Sequence, residues 1–195
     1  MRAATSPAIT RNQPLKRVIL AGDSHFKHLE KRNVAKLNKR FPNARFMAES
    51  GRKLNQLIST IQMAKPDSAA RYVVVCIGYN DTNKLPETTA LTSLYTQLKH
   101  DILSKFPNAK LYAVEIPPCR RTFHKRQMRD TKDRHRSLLM GAIRATFNNV
   151  ILLDPPTINL ANDSFYYDEN HLNSATWNIL LDHIYDHISQ DDGQK

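Results

Sequence analysis

Arg71–Ile77 reads RYVVVCI, a run with four β-branched residues and no charged side chain after its first position. A strand with one wet face would alternate apolar and polar residues. This one does not, so both of its faces are expected to be covered, as in a parallel sheet flanked by helices. The same kind of run recurs on either side. Lys16–Ala21 (KRVILA) and Ala44–Ala48 (ARFMA) precede it, and Lys110–Ile116 and Asn149–Leu153 follow. Helical patterns fill the intervals. His25–Arg40 is expected as one helix, apolar at Leu29 and Leu37 and stopped by Phe41-Pro42-Asn43. Leu54, Leu57, Ile58 and Ile61 share a face at i, i+3, i+4, i+7 spacing, and Leu91, Leu94, Leu98 and Ile102 mark the next helix, which Phe106-Pro107-Asn108 ends. A further helix runs through about Phe147, and Trp177, Leu180, Leu181, Ile184 and Ile188 stripe the last. Five strands separated by helices predict a three-layer α/β/α sandwich on a five-stranded parallel sheet.

The chain has 195 residues, enough for one domain, placed at residues 16–190 behind a polar tail, 1–15, that carries Arg2 and Arg11. There is no apolar run near 18 residues to span a membrane, and no apolar stretch of a secretory signal at the start. Two cysteines, Cys76 and Cys119, make no disulfide framework, which points to a reducing cytoplasmic or nuclear setting. The net charge of +11 is unevenly spread: residues 1–150 carry +18 and residues 151–195 carry −7. Either a polyanionic partner or merely solvated lysine-rich helices would account for this. Arg120–Arg136 (RRTFHKRQMRDTKDRHR) alone holds eight Lys and Arg against two Asp. Arg120, Arg121, Lys125, Arg126 and Arg129 are the candidate phosphate contacts, for RNA or DNA bound without base readout. Phe123 is the only interleaved aromatic, and no helix-turn-helix, zinc-finger or RNA-recognition signature is visible.

Chemistry-bearing residues gather where the strands end. Gly22-Asp23-Ser24 follows the first strand, Glu49-Ser50-Gly51 the second and Gly78-Tyr79-Asn80-Asp81 the third, and Tyr167-Asp168-Glu169-Asn170-His171 precedes the last helix. In an open parallel sheet that edge is where ligands bind. These residues resemble the SGNH, or GDSL-type, hydrolases over about Lys16–Ile188, with all four blocks in order: GDS, an isolated Gly, GxND and DxxH. The resemblance implies that Ser24 is a nucleophile, His171 its general base and then acid, and Asp168 the group that orients the imidazole. It further implies an oxyanion hole from the Ser24 N–H, the Gly51 N–H and the Asn80 side-chain amide. It implies a flavodoxin-like sheet in the order 2-1-3-4-5 and no cofactor. The nucleophile-elbow pattern G-x-S-x-G of α/β-hydrolases is not met by Ala21-Gly22-Asp23-Ser24-His25.

The expected activity is hydrolysis of short-chain, acetyl-like carboxylic esters. The alternative is a nucleic-acid-binding module on the same fold: the resemblance extends to esterase-like domains of some retrotransposon-encoded proteins, and one domain of this fold that lacks the triad binds RNA. Simpler roles are also available. Asp168 and Asn170 could cap a helix, Asp23 and Asp81 could brace turns, and Cys76 reads as a small core residue. His25 neighbours Ser24, but adjacent side chains at a helix start diverge, so no second base is expected there. His183 and His187 are spaced i, i+4 but have no third ligand nearby in sequence, so no metal is expected.

Overall fold

A computed structural model describes residues 14–119, 126–168 and 170–193. Its strands are β1 (Val18–Gly22), β2 (Arg45–Ala48), β3 (Tyr72–Cys76), β4 (Lys110–Val114) and β5 (Val150–Ile151). Its helices are α1 (Ser24–Arg32), α2 (Val34–Arg40), α3 (Leu54–Gln62), α4 (Leu91–Lys105), α5 (Arg126–Thr146) and α6 (Ser174–Gly193). All strand pairs are parallel, in the order β2-β1-β3-β4-β5. Order and fold class match the sequence expectation.

Alternate strand residues separate two apolar layers, as the pleat requires. Val18, Leu20, Val74, Val114 and Ile151 pack with Phe26, Leu29, Trp177, Leu181 and Ile184 from α1 and α6. Ile19, Val73, Val75 and Ala113 pack on the other side with Leu57, Ile61, Leu98, Ile102 and Ile143 from α3, α4 and α5. β1 and β3 are covered on both faces, which is why their sequences do not alternate. Among the described residues, no helix is long and apolar enough to cross a membrane.

Three boundaries differ from the sequence reading, each for a local reason. The helix expected over His25–Arg40 breaks at Asn33, between α1 and α2. The Asn33 amide donates to Ser174 O at 2.8 Å and to Asn178 Oδ1 at 2.9 Å, so a contact with α6 draws the chain out of helical geometry. β5 is shorter than expected because the Leu153 N–H donates to the Glu115 side chain, at 2.8 Å, and leaves the ladder. The tail expected to reach residue 15 lies outside the described residues as far as residue 13. Leu15 itself is buried, and its N–H donates to Arg40 O.

Candidate active site

β1 lies between β2 and β3, so strand order reverses at its carboxyl end, and Ser24 emerges there. Gly22 permits the geometry. A Cβ at this position would fall inside the contact radius of the Cys76 carbonyl oxygen on β3, so only glycine lets the two strands meet. Asp23 N-caps α1 by accepting the His25 backbone N–H at 3.0 Å, which places Ser24 in the first turn of that helix.

His171 arrives from the far end of the chain. Asp168 caps no helix; that role at α6 falls to Asn173, which accepts from Thr176 N at 2.9 Å. Asp168 instead closes its own loop: Oδ1 accepts the backbone N–H of Asn170 at 2.7 Å and of His171 at 2.8 Å. Tyr166 and Leu172 pair across the base of the loop. The His171 ring is thereby held with Nδ1 at 3.0 and 2.9 Å from the two Asp168 oxygens and Nε2 at 3.1 Å from Ser24 Oγ. An ionised carboxylate only accepts, so Nδ1 carries the ring proton and the Nε2 lone pair faces the hydroxyl. Burial pushes the Asp168 carboxyl up, but the hydrogen bonds from Asn170 and His171 outweigh it and hold it below the usual carboxylate range. The arrangement keeps the acid ionised and the hydroxyl in line to lose its proton.

Gly51 adopts φ +78, a left-handed conformation that favours glycine, and among the described residues its N–H meets no acceptor. The Asn80 amide reaches the same turn, where it donates to Arg52 O at 3.1 Å, so one of its two hydrogens is engaged and one remains. The structure thus joins Asn80 to the Gly51-Arg52 turn and Ser24 to His171 and Asp168. Arg126 and Arg129 lie on α5, where both pair with Asp130. Arg120, Arg121 and Lys125 lie outside the described residues. The His183 ring stacks edge-on against His187, and its Nε2 lies 2.9 Å from Leu152 O, a structural contact.

Several polar residues around the site carried no signal in sequence. His25 is fully buried between Asp23 and the Asn170 loop. Lys132, from the basic stretch, is buried rather than solvated and reaches Asn170 Oδ1 at 3.3 Å. His28 lies one turn after Ser24 with its ring 4.6 Å from that of His171. Burial, then the neighbouring His171, lower its affinity for a proton.

Asp81, expected to brace a turn, instead reaches across to the start of α3, where its Oδ2 accepts the Leu54 N–H. Burial raises its carboxyl to about 6, against the opposing Leu54 hydrogen bond. The folded state therefore binds a proton at Asp81 that the unfolded chain has released, and this carboxyl's contribution to stability falls as pH rises from about 4 to about 6. The shift corresponds to about 3 kcal/mol. Asp81→Asn keeps the acceptor and should remove this slope, read by urea unfolding at pH 4.5 and pH 7.

No protein-family model matches the sequence, and no curated protein matches it. Solved structures do resemble the fold. A lipase/acylhydrolase from Enterococcus faecalis superposes with a TM-score of 0.63 at 16% identity, over 91% of this chain and 97% of that one. A GDSL-like lipase from Bacteroides thetaiotaomicron gives a TM-score of 0.71 at 13% identity, over 97% and 93%. The OSK domain of Drosophila Oskar gives 0.62 at 13% identity, over 87% and 86%. Sheet order, helix placement and these likenesses agree: the chain has the fold of the SGNH, or GDSL-type, lipases and acylhydrolases.

Proposed function

We propose that the protein hydrolyses carboxylic esters of short, acetyl-like acyl groups through an acyl-Ser24 intermediate. The observation that carries this reading is the unbroken chain of contacts from Ser24 Oγ through the His171 ring to Asp168. His171 Nε2 takes the hydroxyl proton as Oγ attacks the ester carbon. The tetrahedral oxyanion is met by the Ser24 N–H, the Gly51 N–H and the free hydrogen of the Asn80 amide. His171 then returns its proton to the departing alcohol. Water, activated by the same nitrogen, attacks the acyl-serine, releases the carboxylic acid and restores the hydroxyl. Asp168 stays ionised throughout and stabilises the imidazolium. The test is turnover of p-nitrophenyl acetate by the wild type and Ser24→Ala side by side.

A second reading adds nucleic-acid binding. It is favoured by the +18 carried by residues 1–150 and by a shallow, open groove along α5 lined by Arg126, Gln127, Asp130, Thr131 and Arg134. Phosphate contacts release counterions, so affinity for single-stranded RNA should drop as salt rises from about 50 to about 200 mM. With four phosphates engaged, the drop is about 50-fold. Replacing Arg120, Arg121, Lys125 and Arg126 by Ser should flatten the slope in an anisotropy titration and leave cleavage of a small neutral ester nearly intact. Absence of binding at low salt would reduce the stretch to a solvated surface.

A further inference from the structure

Behind Asp168 and His171 lies a second Asp–His pair that ester cleavage does not use. Asp23 and His25 are both fully buried. His25 Nδ1 lies 3.1 Å from Asp23 Oδ1, and its Nε2 lies 3.2 Å from the carbonyl oxygen of Asn170. A peptide oxygen only accepts, and so does an ionised carboxylate. A neutral imidazole has one N–H to give, and this position asks for two. The second proton is therefore shared between Nδ1 and Asp23 Oδ1, which leaves the pair without net charge. Asp23 Oδ1 also accepts the His25 backbone N–H, whereas Oδ2 is buried with no partner among the described residues. An uncompensated carboxylate there would be costly, and the shared proton offsets that cost.

The acceptor of the other proton stands between Asp168 and His171. Asn170 donates its N–H to Asp168 Oδ1 at 2.7 Å. Its carbonyl faces His25, and its side-chain Oδ1 accepts from the Tyr79 hydroxyl at 2.7 Å and from Lys132 Nζ at 3.3 Å. The first turn of α1, the segment after β3 and the helix α5 thus converge on one residue of the loop that carries the base. We propose that His25, with hydrogen on both ring nitrogens, is a positioning residue: its Nε2–H holds the Asn170 carbonyl and so fixes the Asp168–His171 loop over Ser24. The effect on turnover rests on the hydrolase reading; the placement of the protons does not. The charged or titratable groups facing the ring are Asp23 at the start of α1, His28 on α1, Tyr79 after β3 and His171 in the loop, with Lys132 on α5 acting through Asn170. From α6 the contact is the Trp177 ring.

Two measurements test this. In 15N-labelled protein, long-range proton–nitrogen spectra should show hydrogen on both His25 ring nitrogens, as the two acceptors facing them require. The resonance is assigned by its loss in His25→Gln. A bare ring nitrogen on His25 would overturn the proton placement. The second measurement compares substitutions. Gln can set an N–H where Nε2–H stood, Asn sets one nearer the Nδ1 position, and Leu sets none. His25→Leu and His25→Asn should lower kcat about 10- to 100-fold with KM unchanged, whereas His25→Gln should stay within a few-fold of wild type. A core-filling role predicts the opposite order, with Leu tolerated best, and that order would sink the proposal. The Nδ1–H resonance of His171 gives the same comparison without turnover. It should persist in His25→Gln and broaden away in His25→Leu, and its persistence in both would count against the proposal. Labelling of wild-type Ser24 by a fluorophosphonate probe separates the two readings. An unreactive Ser24 removes the hydrolase reading, while the His25 and His171 resonances still decide the role of His25.

Discussion

Turnover of p-nitrophenyl acetate is expected to fall about 10⁶-fold in Ser24→Ala and by about the same in His171→Ala. The two changes are not additive, because the hydroxyl is a poor nucleophile without its base and the base has no proton to take without the hydroxyl. The double variant should therefore resemble either single one. Asp168→Asn should cost less, about 10⁴-fold, since an amide at that position favours the wrong tautomer of His171 but leaves nucleophile and oxyanion donors in place. All three variants should fold, and circular dichroism checks this. Ser24 and His171 lie at the rim of the sheet, not within either apolar layer. Asp168 draws its hydrogen bonds from its own loop. Wild-type turnover in Ser24→Ala would end the proposed mechanism.

The largest expected loss of stability is at Gly22. An added methyl would collide with the Cys76 carbonyl, which is backbone and cannot turn aside. β1 and β3 would have to separate at the centre of the sheet, and Asp23 donates its N–H to that same carbonyl. Gly22→Ala should cost about 3 kcal/mol or more. For a chain of this size that lowers Tm by roughly 6–12 °C. Gly141 is the control. It lies inside α5 with open space around its would-be Cβ, so Gly141→Ala should raise stability by about 0.5–1 kcal/mol. Calorimetry on the two variants would show opposite shifts; equal shifts would refute the steric account.

The sheet was legible because a strand covered on both faces cannot hide its composition: RYVVVCI leaves few alternatives. The contact among Ser24, His171 and Asp168 was anticipated through the resemblance, which rests on short blocks in a fixed order, each at the end of an element. The supporting residues were not. His25, Lys132 and Asn33 are polar, and polar residues usually face water. Here each is buried by a partner about 40 to 145 positions away, and local pattern carries no trace of such pairing. Helix α1 ends early for the same reason, since what stops it at Asn33 belongs to α6. The charge run of the basic stretch does not show which of its members face inward and which pair on the surface. Lys132 and Arg136 turn inward to Asn170 and Glu115, and Arg126 and Arg129 share Asp130.

The hydrogen bond between His171 and Ser24 joins residues 147 positions apart. During synthesis at about 5–20 residues per second, the serine leads its imidazole by roughly 7 to 30 seconds. For that interval the Ser24 hydroxyl is an ordinary alcohol on a nascent chain, no more reactive than any other serine. On the proposed mechanism, chemical reactivity at Ser24 would be a timestamp: a serine-directed probe added during translation would mark only chains in which β1 and the loop before α6 have already met.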